Sequence, residues 1–199
     1  MTAAKCIVPD RCCAVIVDVQ PFFLSQVDKR LGGRLKANIA NLVRLLDCYD
    51  IPTVVTLERP VDKKGALPNE INRHLRAGTP LLEKDSFDLC KDDAIRRRLT
   101  RLKKKQVIVA GCETDVCILQ SCLGLLNLGY EVFVVEELVF SSARNVEAAV
   151  ARMQAEGVVF LSYKTLYYEL LETVGGPLRP RRKRSGTDSF PDELPDSAI

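Results

Sequence analysis

The chain predicts an α/β fold, a three-layer α-β-α sandwich built on a mostly parallel, Rossmann-like sheet of about six strands. Short runs rich in β-branched residues, the mark of strands buried on both faces, recur along it at Cys13–Val19, Pro52–Leu57, Gln106–Ala110, Tyr130–Val135 and Val158–Leu161. Stretches with apolar residues at helical spacing separate them. At 199 residues the chain suits one domain with a sizeable core. We expect that domain over residues 1–176 and a disordered tail over 177–199.

Cys13 to Gln20 opens the fold as an apolar run that ends in a carboxylate, Asp18. An unpaired buried carboxylate costs several kcal/mol, so roughly that much must be recovered from a partner. Two readings stay open: a ligand-facing strand end, where parallel α/β sheets place their sites, or a cap for the turn at Pro21-Phe22-Phe23. After Gly32-Gly33 a helix is expected to about Tyr49, with Leu35, Ile39, Leu42, Val43 and Leu46 on one face. The Pro52–Leu57 strand then completes a βαβ unit. Glu58 to Thr79 reads as a long polar connection, and such loops tend to border sites.

A short apolar segment, Pro80 to Phe87, is interrupted by Lys84, which reads either as a loop lysine or as a site residue. The following helix, Asp92 to Lys104, carries aspartates first and lysines last, which complements its dipole. Its basic residues therefore need no nucleic-acid partner. After the Gln106–Ala110 strand comes Gly111-Cys-Glu-Thr-Asp-Val-Cys117, leading into a helix from Asp115 to Leu128 with Thr114 and Asp115 as N-cap candidates and Gly129 as its stop. Cys117 in the first turn of that helix is either a small core residue or a thiol whose ionisation the dipole assists. Helices over Ser142–Glu156 and Thr165–Glu172 complete the pattern.

The composition excludes several classes. No apolar run approaches the ~20 residues that span a bilayer, and the first ten residues lack the apolar core of a secretory signal. Eight cysteines lie largely in apolar periodic segments without Cys-x-x-Cys spacing, which points to thiols in a reducing, cytoplasmic compartment. The single histidine, His74, gives a structural zinc site no support. It is expected to be exposed. A net charge of +3 does not call for nucleic acid, and the basic cluster Arg179 to Arg184 is expected to be a solvated tail segment.

Asp18 with Gln20, Lys84 with Phe87, and Gly111 to Cys117 together resemble the isochorismatase-like cysteine hydrolase family, over about Cys12 to Leu171. Leu128 to Val132 and Ala151 to Met153 are similar as well. The resemblance implies a Cys-Asp-Lys triad: Cys117 the nucleophile, Asp18 the group that takes its proton and returns it to a leaving amine, and Lys84 the charge that favours the thiolate and holds Asp18. It further implies a cis Cys112-Glu113 peptide and an oxyanion hole made by the Glu113 and Cys117 N–H groups. Pocket walls are expected from Gln20, Phe23, Phe87, Thr114 and the Glu58–Thr79 connection.

Family nicotinamidases bind a metal through an Asp-x-His and a further histidine after the second strand, and this chain has only His74 there. No metal or other cofactor is therefore expected. Family members that cleave the vinyl ether of isochorismate lack the nucleophilic cysteine, so its presence favours attack on an acyl carbon. The expected function is metal-independent hydrolysis of an amide or ureido C–N bond in a small molecule through a thioacyl intermediate. The alternative is a non-catalytic interaction protein that kept the fold. Family habit adds a homo-oligomer, dimer or larger, with no nucleic-acid or membrane partner.

Overall fold

The computed structural model describes residues 5–174. The expected disorder of 177–199, and the basic cluster within it, lie outside them. Six parallel strands form one sheet in the order β3-β2-β1-β4-β5-β6. They are β1 (Cys12–Val17), β2 (Thr53–Glu58), β3 (Leu81–Lys84), β4 (Gln106–Cys112), β5 (Glu131–Phe140) and β6 (Val159–Leu161). β1 and β4 are buried along their whole length, which is why their sequences are apolar without alternation.

Among the described residues, seven α-helical segments lie between strands, α1 (Pro21–Leu24), α2 (Lys29–Cys48), α3 (Val61–Lys64), α4 (Asn69–Asn72), α5 (Asp93–Arg101), α6 (Leu119–Asn127) and α7 (Glu147–Ala155), and an eighth, α8 (Tyr163–Leu171), follows the last strand. Residues from α2 and α8, among them Leu42, Leu46 and Leu166, pack on the β1 face that carries Ala14 and Ile16. Ile95 and Leu99 of α5, Leu125 of α6 and Met153 of α7 pack on the other face, against Val15 and Val17. Two cores thus clamp the sheet, as expected of a three-layer fold.

Several boundaries differ from the expected ones for identifiable reasons. The helix expected after Gly32-Gly33 begins earlier, because Asp28 caps it by accepting from the Arg30 and Leu31 N–H groups. Gly32 lies inside that helix, where an added Cβ would stand 3.1 Å from the Leu24 carbonyl oxygen. The connection from 59 to 79 is not an open loop, since α3 and α4 lie within it. β2 runs one residue further than expected and ends on Glu58, and β5 extends to Phe140. The helix expected from Ser142 begins at Glu147.

Gly111 is the tightest point of the fold. It pairs with Val17 across β1 and β4, has φ +124°, and would place a Cβ 2.0 Å from the Val17 carbonyl oxygen. Only glycine fits where two backbones approach so closely. Gly111→Ala is expected to cost on the order of 4 kcal/mol or more, since both the clash and the strained φ must be relieved. Urea unfolding measures it, and a loss under about 1 kcal/mol would show that the strands can separate without penalty.

Candidate active site

The strand order reverses beside β1, whose neighbours β2 and β4 lead to opposite edges of the sheet. Parallel sheets form their binding crevice at such a point, outside the carboxyl ends of the strands. Four adjacent strands, β3, β2, β1 and β4, end here on or just before Lys84, Glu58, Asp18 and the turn that carries Cys117. Glu58 and Lys84 are direct register partners. Side chains far apart in sequence are thereby brought together by the sheet itself.

Asp18 and Lys84 are both fully buried and form an ion pair at 2.6 Å. Thr56 Oγ1 donates to the other Asp18 oxygen at 2.8 Å. Lys84 Nζ also lies 3.5 Å from Cys117 Sγ and 3.5 Å from Glu58 Oε2. The Cys117 thiol donates to Glu58 Oε2 at 3.1 Å. The second Glu58 oxygen pairs closely with the Lys64 ammonium from α3. Asp18, Glu58 and Cys117 present atoms within 4.8 Å of one another, with the Lys84 ammonium in contact with all three.

These contacts set the protonation states. Burial pushes the Asp18 carboxyl up against the pull of Lys84 and Thr56. Burial also acts to lower Lys84, but Asp18, Cys117 and Glu58 outweigh it and hold the ammonium protonated beyond its usual range. For Glu58, burial acts upward while Lys64, Cys117 and Lys84 together bring the carboxyl below the ordinary range. The Cys117 thiol is pushed well up by burial, with Asp18 and Glu58 adding to it and Lys84 opposing. This corrects the expectation that helix dipole and lysine would make the resting thiol more acidic. Cys117 rests as a thiol that donates its proton to Glu58.

The turn before Cys117 also differs from the expected helix start. Glu113, not Thr114 or Asp115, precedes the first turn, which is a π-helical segment over Thr114–Ile118 that continues as α6. Thr114 is buried within it, and Asp115 instead accepts from the Ser141 hydroxyl at 2.6 Å. The Cys112-Glu113 peptide is cis. The Glu113 carboxylate faces away, accepting from Ser142.

The expected pocket residues divide. Phe23 is buried, edge-on to Phe22 at 5.2 Å, with Lys64 Nζ 5.5 Å from its ring centre. Phe87 is 51% exposed. Gln20 is buried with its amide spent on backbone: it accepts from the Glu58 N–H at 2.8 Å and donates to the Glu58 and Gly65 carbonyls at 3.1 and 2.8 Å. Gln20 therefore braces the end of β2 and the loop behind it. His74 is half-buried rather than exposed. It lines a cavity of about 320 Å³ with Lys36, Arg44 and Arg73 near α2 and α4, not the cluster around Cys117.

Sequence reasoning missed Glu58. The signal is present, because Glu58 ends a β-branched run as Asp18 does, but the polar residues that follow make it read as the start of the connection.

Comparison with known proteins bears on the family and the fold. The isochorismatase domain matches residues 12–165. A secreted isochorismatase effector, Isc1, of Phytophthora sojae is 31% identical over 140 residues, covering 68% of this chain and 66% of the relative. A solved structure of YcaC from Pseudomonas aeruginosa, with hexane-2,5-diol and covalent acrylamide, superposes with a TM-score of 0.81 at 25% identity over 87% of this chain and 86% of that one. YcaC of Escherichia coli, described as an octameric hydrolase of unknown specificity, gives 0.80 at 21% identity over 87% and 85%. A domain match that runs from the first strand into the last helix, on the fold those strands build, places this chain in the isochorismatase family of hydrolases.

Proposed function

We propose that the chain is a metal-independent cysteine hydrolase that cleaves a C–N bond, amide or ureido, in a small molecule through a thioacyl intermediate on Cys117. The observation that carries this reading is the buried Asp18–Lys84 pair with Lys84 Nζ 3.5 Å from Cys117 Sγ. A nucleophile needs a base and a charge to hold its anion, and these three residues supply them. Cys117 attacks the acyl carbon as its proton leaves, and Asp18 is the carboxylate that finally holds that proton. The N–H groups of Glu113 and Cys117 receive the oxyanion. Collapse expels the amine with the stored proton and leaves a thioester. Water then attacks the thioester, passing a proton back to the carboxylate, and the departing thiolate recovers it.

Lys84 brings positive charge to the three acceptors directly, and the histidines that a nicotinamidase-type metal would need do not accompany it. The pocket in this reading is bordered by Phe23, Phe87 and Thr114, with Gln20 fixing the β2 end. Homo-oligomerisation is part of the proposal, supported by the octameric E. coli relative. So is a cytoplasmic site of action, which the eight cysteines support by forming no disulfide, although the Phytophthora relative is secreted. Among the described residues no helix is long and apolar enough to cross a membrane. A non-catalytic scaffold is the lesser reading, because an interaction protein gains nothing from a buried carboxylate, ammonium and thiol in contact.

The test is to trap the intermediate. Incubation with p-nitrophenyl acetate and with a panel of small amides and ureides, followed by acid quench and peptide mass spectrometry, is expected to show an acyl group on Cys117 that neutral hydroxylamine removes. Acylation elsewhere, or none with any donor, would sink the hydrolase reading.

A further inference from the structure

The cluster holds four residues, not three, and the fourth, Glu58, stands between the nucleophile and the base. Cys117 Sγ donates to Glu58 Oε2 at 3.1 Å, Glu58 Oε2 lies 3.5 Å from Lys84 Nζ, and Lys84 Nζ lies 2.6 Å from Asp18 Oδ2. The thiol's direct acceptor is thus Glu58. We propose that Glu58 is a further catalytic residue, the first acceptor of the Cys117 proton, which then passes through the Lys84 ammonium to Asp18. The proposal rests on the cysteine-hydrolase reading for its chemical use, but not for its test.

The relay balances at each step. The S–H bond breaks as sulfur forms its bond to the acyl carbon, and the proton moves to Glu58 Oε2. Glu58 gives a proton to Lys84 as Lys84 gives one of its own to Asp18, so Lys84 ends as it began, an ammonium. The reverse sequence delivers the proton to the leaving amine. The two carboxyls are tuned for this direction. Glu58, held below its ordinary range, does not retain a proton, whereas Asp18, pushed up by burial, does.

The surroundings fix Glu58 for the task. Its backbone is clasped by Gln20, and its far oxygen is paired with Lys64. Gly65, where the clasp ends, would press a Cβ against the Pro21 ring at 2.7 Å, so α1 and the loop after α3 meet without slack. The charged and titratable groups around the relay are Asp18, Lys64, Lys84, Cys112 and Glu113, besides Glu58 and Cys117. Of these, Cys112 is held protonated by deep burial and donates to the Asp18 carbonyl at 3.0 Å.

The test needs no substrate. Acrylamide adds to a thiol by forming an S–C bond to its β-carbon as the C=C π bond breaks and the α-carbon takes a proton, so it requires the same first loss of the thiol proton to an acceptor. The rate of acrylamide addition to Cys117 is followed against pH by peptide mass spectrometry in the wild type, Glu58→Gln and Glu58→Asp, with urea unfolding to confirm that each variant is folded. With an internal acceptor, the wild-type rate is expected to be nearly flat between about pH 6 and pH 8, while Glu58→Gln rises about tenfold per pH unit and is slower at pH 6 by about 10²-fold. Glu58→Asp, a carboxylate one methylene shorter, is expected to keep the flat profile at a lower rate. If instead Glu58 only repels the thiolate, removing its charge makes Cys117 more acidic, and Glu58→Gln reacts as fast as the wild type or faster at pH 6. That outcome, or a wild-type rate that climbs with pH throughout, overturns the relay. An intact relay beside a failed acyl-trapping experiment would dismiss the hydrolase reading alone.

Discussion

Cys117→Ala is expected to abolish turnover, by on the order of 10⁴-fold or more, while leaving the fold intact. The thiol is the group assigned to bond formation with the acyl carbon, and no other cysteine can take its place. Cys112 and Cys122, equally near in sequence, are both fully buried, the first with its S–H turned to the Asp18 carbonyl. The substitution removes one sulfur from a site 2% exposed, so the stability change is expected to stay within about 2 kcal/mol. Rates on an authentic substrate, read beside a urea unfolding curve, separate the two effects. A variant that keeps even a tenth of wild-type activity would show that Cys117 is not the nucleophile.

Lys84→Met is expected to destabilise the chain by about 3–5 kcal/mol and to remove activity as well. Lys84 and Asp18 are both fully buried, and losing one partner leaves Asp18 as an uncompensated charge beside Glu58. Methionine fills most of the volume, so the cost reports the charge and not a cavity. The loss has a definite pH dependence. With Lys84 gone, burial and Glu58 act on Asp18 without its counter-ion, so its folded-state carboxyl rises above its value in the wild type and above its unfolded value. A carboxyl raised on folding penalises the folded state above its unfolded pKa, and the penalty disappears as pH falls below it. Lys84→Met should therefore approach wild-type stability toward about pH 4 and diverge from it toward neutrality. Chemical denaturation at several pH values measures this. An equal deficit at every pH would mean that packing, not charge, is what Lys84 supplies.

The sheet is legible in the alternation of apolar runs and helical patterns, whereas Asp18, Lys84 and Cys117 each leave a local mark open to two readings, and it is the family resemblance that groups them as a site. A charge that interrupts or ends an apolar strand is conspicuous, and a cysteine just beyond a glycine-ended strand is equally so. What escaped was information that only packing supplies. Glu58 closes a strand as Asp18 does, but the polar residues after it made it look like loop. Gly32 and Gly33 read as a break, yet Asp28 had already begun the helix, and Gly32 serves its contact with the Leu24 carbonyl. Thr114 carries the chemistry of a cap but is drawn inside a π turn and buried. The direction in which the thiol's acidity moves was also hidden, because it depends on two carboxylates and a depth of burial that no linear spacing reveals.

Asp18, Glu58 and Lys84 sit at or just beyond the ends of hydrogen-bonded strands, and Cys117 lies in the turn that leaves β4, so three of the four are placed by the ladder itself. Segments that neither carry Cys117 nor brace Glu58 are free to lengthen, shorten or change character without shifting the clustered atoms relative to one another. A scaffold of this kind separates the inheritance of a reaction from the choice of molecule it acts on, and lets each drift at its own pace.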